Sequence, residues 1–249
     1  MQRPAQQSSI EDAESNNRGS TRTASYGFLP WLFIWRSGQG RKNFGYGQRQ
    51  KSQSVCESTS LSWSRMTDDK RPQNLALIKE LEYILDSCKL ELTPIAEVWP
   101  NLYIGNVAIA QNRGALQKLG ITHILNAAHS KQGSIGDQSY YGNACLYCGI
   151  PAEDSSHFDI SQYFQASADF IHKALETKDG KVLVHCIMGM SRSATLVLAY
   201  LMLRRRVTLR DALRHVIQRR AIYPNRNFLA LLLNLDTQLT RKRRLCPLL

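Results

Sequence analysis

The chain has 249 residues and a formal net charge of +12, from 32 lysines and arginines against 20 acidic residues, and 43% of it is hydrophobic. That length allows one domain with a real core, or one domain and a tail, and the charge favours anionic partners. The opening MQRPAQQSSIEDAESNN has no basic-then-apolar signal segment, and the apolar runs 27–35 and 194–203 are too short to span a bilayer. A soluble protein of the cytoplasm and/or nucleus is therefore expected. The six cysteines (56, 88, 145, 148, 186, 246) suggest no disulfide framework in a chain this long.

Residues 1–65 are rich in Ser, Gln, Arg and Gly without sustained periodicity and read as a disordered or low-complexity leader. Met66 opens MTDDKRPQ, which would itself serve as a start. Residues 66–95 form an N-terminal helical segment, in which 74–90 would place Leu77, Ile78, Leu81, Ile84 and Leu85 on one face. Short strands are expected at Leu102–Ile104 and Thr122–Asn126, with a helix near Ala110–Leu119 ended by Gly120. Leu146–Ile150 reads as another strand, leading into the loop PAEDSSHF. Asp159 can cap a helix over 160–177, with Asp179-Gly180 as its stop. Lys181–Val184 is an apolar, doubly buried strand, and helices follow near 193–204, 208–220 and 227–240. Strands alternating with helices imply one α/β domain over 96–240, with a central, mixed but mostly parallel sheet flanked by helices. Residues 241–249 make a basic tail.

The segment VHCIMGMSRS (184–193) carries the chemistry. Cys186 stands where a strand stops and Arg192 follows six positions later, at the start of an apolar helical run. The loop Ile187, Met188, Gly189, Met190, Ser191 has the length to curl round one tetrahedral anion with its N–H groups inward. Gly189 permits a backbone conformation that other residues resist. The helix aims its positive N-terminus at the same point, and Arg192 can grip two phosphate oxygens at once. That positive field favours the Cys186 thiolate over the thiol. There is no GxxxxGK[ST] motif, so a nucleotide P-loop is excluded.

HCIMGMSRS resembles the HCxxGxSRS signature of the dual specificity protein phosphatases, within the cysteine-dependent phosphatases. The similarity runs through EVWPNLYIGN (97–106), GITHILNAAH (120–129), YCGIPAEDSSHFDIS (147–161), SATLVLAYLML (193–203) and PNRNFL (224–229). It is strongest to the small atypical members, particularly the muscle- and testis-type group, which lack a kinase-docking domain. The resemblance implies hydrolysis of phosphotyrosine and phosphoserine/phosphothreonine through a phosphocysteine, with no cofactor and no metal. It places the general acid at Asp154, 32 positions before Cys186, with Glu153 an adjacent competitor and Asp159 more simply a helix cap. Ser193 would ease departure of the thiolate, and His185 would orient the loop and tune the thiol. Arg220 matches a family arginine lining the approach to the pocket, although a solvated helix-end arginine remains open. Asn227 replaces a usual glycine in PNxGF, which puts the local turn in doubt.

Phosphoprotein substrates follow, MAP kinases or other kinases among them, with a homodimer possible and a role in regulating kinase signalling. A phosphate-reading binding module is the rival reading, and the presence of Cys186, Arg192 and Asp154 together argues against it. The C-terminal 49 residues hold twelve basic residues and two acidic ones. The arginines at 204–206, 210, 214, 219 and 220 lack interleaved aromatics, so a solvated face or an acidic-segment docking site is expected rather than nucleic-acid binding. Cys145 and Cys148 read as two buried thiols, and His123 and His129 as structural. The terminal CPLL places Cys246 in a C-a-a-X pattern behind RKRR, so membrane association is expected only if that cysteine is prenylated.

Overall fold

A computed structural model describes residues 71–245 apart from 132 and 135. The leader, its 27–35 patch, Met66, Cys56 and the prenylation candidate Cys246 lie outside the described residues. The element order is α1 (Arg71–Asp86), β1 (Ile95–Trp99), β2 (Leu102–Gly105), α2 (Val107–Ala110), α3 (Arg113–Leu119), β3 (His123–Asn126), α4 (Gln138–Tyr141) and β4 (Leu146–Gly149). A 3-10 turn (Ile160–Tyr163) follows, then α5 (Phe164–Glu176), β5 (Val182–His185), α6 (Arg192–Arg204), α7 (Leu209–Ile217) and α8 (Arg226–Leu245).

The five strands lie in the order β1-β2-β5-β3-β4. Only β1 and β2 run antiparallel; β2–β5, β5–β3 and β3–β4 are parallel. The central strand shows why an unbroken apolar run forms here. Val182 and Val184 face one apolar cluster and Leu183 the other, all of them fully buried, as side-chain alternation requires of a strand covered on both faces. The larger cluster draws on α1 and α5–α8, the smaller on Ala110, Leu116 and Tyr141 of α2, α3 and α4. Each wholly enclosed Val or Leu contributes roughly 1.5–3 kcal/mol, so β5 and the almost completely buried α6 anchor the domain. Because β5, β3 and β4 are parallel, their C-terminal ends open on one edge, where α/β sheets generally place ligands.

Several boundaries differ from the sequence reading, for local reasons. The helix expected over 110–119 is two shorter ones, because Asn106 and Asn112 each turn a side-chain oxygen onto the N–H three residues on and start separate helices. Asp159 caps a 3-10 turn rather than the long helix, which begins only at Phe164. Helix α7 stops at Ile217; beyond it Gln218 and Arg219 stay exposed while Arg220 is buried. Helix α8 runs on to Leu245 and takes up the basic residues expected to form a tail. The strand β1 was not anticipated. It is a short edge strand with Glu97 exposed, interrupted by a register shift between Glu97 and Trp99. Cys145 is a buried free thiol, but Cys148 is disulfide-bonded, so the expected pair of thiols holds for Cys145 alone.

The arginines of the last third are mostly tied to neighbours. Arg204 pairs with Asp169, Arg210 with Glu80 at 2.6 Å, and Arg205 donates to Tyr200 Oη at 2.9 Å. Arg220 breaks the pattern, being 1% exposed. Among the described residues, no helix is long and apolar enough to cross a membrane.

Candidate active site

β5 delivers Cys186 to the open edge of the sheet, and the chain then turns through Ile187–Ser191 into α6. The orientation of this loop follows from where its carbonyls go. Ile187 O accepts from Val107 N–H (3.0 Å), Met188 O from Arg220 Nη2 (3.3 Å), Gly189 O from Arg220 Nε (3.0 Å) and Met190 O from Tyr223 N–H (2.9 Å). In a trans peptide each C=O points opposite to the next N–H. Four consecutive carbonyls held outward therefore turn the N–H groups of residues 188–191 to the inner side. One of them has a partner there: Gly189 N–H donates to Cys186 Sγ at 3.2 Å. Gly189 has φ +73, and a Cβ on it would collide with Gly105 O and stand 2.6 Å from Arg220 Nη2. Only glycine fits, for both reasons.

Cys186 is 2% exposed, and its Sγ lies 3.3 Å from Ser193 Oγ. His185 is wholly buried, its Nδ1 3.3 Å from Cys186 O and its Nε2 without a partner. Burial pushes its pKa down to about 4 against the weaker opposing effect of the backbone bond. It is neutral at pH 7, with Nδ1–H as the donor to that carbonyl, an arrangement that orients the loop rather than moving protons.

Asp154 sits on the loop that leaves β4. Its Oδ1 accepts from Ser191 Oγ (2.7 Å) and Asn225 Nδ2 (2.8 Å), while Oδ2 lies 3.6 Å from Arg192 Nε. Arg192 itself is 8% exposed and donates through Nη1 to Ala152 O at 3.1 Å; its buried Nε has no hydrogen-bond partner, since 3.6 Å is an ion-pair separation only. The alternatives to Asp154 are elsewhere engaged. Glu153 pairs with Lys131 at 2.9 Å, and Asp159 caps Ser161.

The expected Cys186, Arg192, Asp154, Ser193 and His185 thus converge on one loop. Arg220 is the correction: it neither lines the approach nor is solvated, but grips the loop from behind. The doubt over Asn227 is also resolved. It lies in the first turn of α8, is not among the positive-φ residues, and its Nδ2 donates to Phe158 O at 2.8 Å. No glycine is required there. Asn225 was not singled out from the sequence. It caps α8 through Phe228 N–H (2.9 Å) while holding Asp154, a double role that only a tertiary contact reveals. Among the described residues, no group of three or more His, Cys, Asp or Glu could hold a metal ion.

Comparison with known proteins agrees with this geometry. Residues 102–238 match the family model described as the dual specificity phosphatase catalytic domain. The chain is 51% identical over 160 residues to dual specificity protein phosphatase 26 of both Bos taurus and Homo sapiens, an alignment covering 64% of this chain and 75% of each relative. Among solved structures, the human tyrosine phosphatase-like serine/threonine/tyrosine-interacting protein superposes with a TM-score of 0.52 at 32% identity, covering 58% of this chain and 96% of that one. Human DUSP28 superposes at 0.54 with 24% identity, covering 60% and 97%, which supports the fold. The chain belongs to the dual specificity phosphatase family.

Proposed function

We propose that Cys186 is the nucleophile, Arg192 with the loop amides of residues 187–192 the phosphoryl clamp, and Asp154 the acid and then the base of a metal-independent protein phosphatase in the unit 96–240. The observation that carries this reading is the Cys186 sulfur, which receives Gly189 N–H at 3.2 Å at the floor of a loop whose amides face inward. Sγ attacks phosphorus, forming an S–P bond as the bond to the seryl, threonyl or tyrosyl oxygen breaks. Asp154 protonates that leaving oxygen. Its Oδ1 is tied by two donors, which leaves Oδ2 to carry the proton. Water then attacks the phosphocysteine, Asp154 takes its proton, and the S–P bond breaks to release inorganic phosphate. Ser193, 3.3 Å from Sγ, donates to the departing sulfur. Arg192 Nε, buried without a hydrogen-bond partner, is the donor for a phosphoryl oxygen.

Phosphoproteins are the substrate class of the family. Kinases, MAP kinases among them, are the substrates we infer for this chain, with regulation of kinase signalling in the cytoplasm or nucleus as its role. Cys186→Ser should abolish turnover of a small aryl phosphate while phosphate binding persists. Asp154→Ala should cost roughly 10²–10⁴-fold in kcat. Turnover that survives Cys186→Ser, or that disappears on adding EDTA, would overturn the reading.

A further inference from the structure

Arg220 heads the wholly enclosed side chains by size and, among the described residues, forms no ion pair. A buried cation without a carboxylate is costly unless its surroundings compensate it. Here compensation comes from carbonyls: Nε bonds Gly189 O at 3.0 Å, Nη2 bonds Met188 O at 3.3 Å and Nη1 bonds Thr93 O at 2.8 Å. Thr93 lies in the segment between α1 and β1, so the guanidinium links that segment to the loop. Two of the four carbonyls that fix the inward amides depend on this one side chain.

We propose that Arg220 is a positioning residue for phosphoryl transfer, which pins the Met188 and Gly189 carbonyls outward so that the Gly189 and Met190 amides face the anion. It also places a second positive charge behind the loop, against the outward carbonyls of Met188 and Gly189, and never touches substrate. The inference rests on the proposed role of Cys186. The fork geometry is essential, because one planar group must reach two successive carbonyls and a third on another segment, which a lysine ammonium on a flexible stem does poorly. Burial lowers the guanidinium's pKa, and against it the charge of Cys186 favours the charged form, the attraction between loop and guanidinium that this role requires. The other polar groups facing the loop are neutral His185 from β5, Ser193 and Arg192 from α6, and Asp154, which is already tied to Ser191.

The test compares Arg220→Lys, Arg220→Gln and Arg220→Gly with the parent protein and with Cys186→Ser. Readouts are tungstate inhibition, the pH profile of Cys186 alkylation by iodoacetate, and kcat and KM on an aryl phosphate. Folded Arg220 variants should bind tungstate at least tenfold more weakly, alkylate with a profile displaced to higher pH, and lose kcat about ten- to a hundredfold. Arg220→Lys should rescue little of this, and added guanidinium should partly restore Arg220→Gly. A folded variant with parental tungstate affinity and alkylation profile overturns the proposal. So does selective loss of activity on doubly phosphorylated peptides alone, which would return Arg220 to the pocket approach. If none of the variants folds, the unmodified protein decides. Its Arg220 Nε–H should exchange slowly and shift in an NMR spectrum on adding tungstate, and an unshifted signal refutes the idea. Turnover retained by Cys186→Ser would instead refute the nucleophile, whatever Arg220 does.

Discussion

Two loops meet at the site, and they are held by different means: the first chiefly through its backbone carbonyls, the second chiefly through side chains that hold its carboxylates. The nucleophile loop, 186–191, buries Cys186 and Gly189 and exposes Met188, and its shape is fixed through its own carbonyls by Val107, Arg220 and Tyr223. The acid loop, 151–159, exposes Glu153, Asp154, Ser156 and His157. Side chains reaching across from elsewhere hold it: Ser191 and Asn225 on Asp154, Asn227 on Phe158 and Lys131 on Glu153. A loop fixed through its backbone tolerates little change at the positions where that backbone is gripped. A loop tethered by side chains should loosen one bond at a time. In the reading proposed above, the first would bind an anion of constant geometry and the second would serve leaving groups as different as serine and tyrosine oxygens, a range that a graded tether suits.

The sharpest way to break this contrast is Gly189→Ala. The added methyl meets Gly105 O and the Arg220 guanidinium at a φ of +73, and strain of this kind costs of order 1–3 kcal/mol before any clash is counted. A loss of kcat/KM above roughly a hundredfold, about 2.7 kcal/mol in the transition state, is expected together with weaker tungstate binding. Near-parental kinetics would show that the loop is not backbone-determined. On the other loop, Asn225→Ala removes one bond to Asp154 and one helix cap. About tenfold in kcat is expected, the low end of the roughly 1.5–3 kcal/mol that a hydrogen bond to a charged group contributes, because Ser191 still holds the same carboxylate oxygen. Loss of the cap adds about 1 kcal/mol of destabilisation, read from denaturant unfolding. A hundredfold effect would mean that the acid loop is as rigidly specified as its neighbour.

Much of this contrast was legible in the sequence, and what was hidden shares one cause. A strand–loop–helix with Cys186 and Arg192 in register announces itself because all its parts are local. Gly189 was readable for the same reason, and its positive φ agrees. The outward grips on the loop come from Val107, Tyr223 and Arg220, between about 30 and 80 residues away in the chain, and two of them are backbone N–H groups with no sequence signature. Arg220 was visible as a residue but not in its role, because α7 was expected to continue to 220 and its end at Ile217 turns the side chain inward. Asn225 escaped notice because a capping asparagine looks the same whether or not its amide reaches a carboxylate. Strand β1 escaped because an edge strand with an exposed Glu97 and a bulge lacks clean alternation.

The smallest expected effect concerns pH. His185 has its pKa pushed down to about 4 by burial, so between its ordinary value near 6.5 and that point the unfolded chain binds a proton that the folded chain refuses. Its contribution is complete above about pH 6.5 and falls as pH drops toward 4, with a slope of at most about 1.4 kcal/mol per pH unit. His123 and His215 are shifted in the same direction, also chiefly by burial, so the parent protein alone cannot isolate the effect. Subtracting the unfolding profile of His185→Asn, which keeps an amide donor toward Cys186 O, should leave a difference that changes only below pH 6.5. A difference flat across that window would contradict a neutral, buried His185.

The central claim is that phosphate passes through Cys186, and the direct measurement is to trap it there. Asp154→Ala, mixed rapidly with a ³²P-labelled aryl phosphate whose leaving group needs little protonation, should release one equivalent of phenol in a burst. Hydrolysis of the phosphoenzyme then lacks its base, so the label should remain on the protein and map to the peptide containing Cys186. Turnover with no burst and no bound label, or label carried on a peptide without Cys186, would contradict the account.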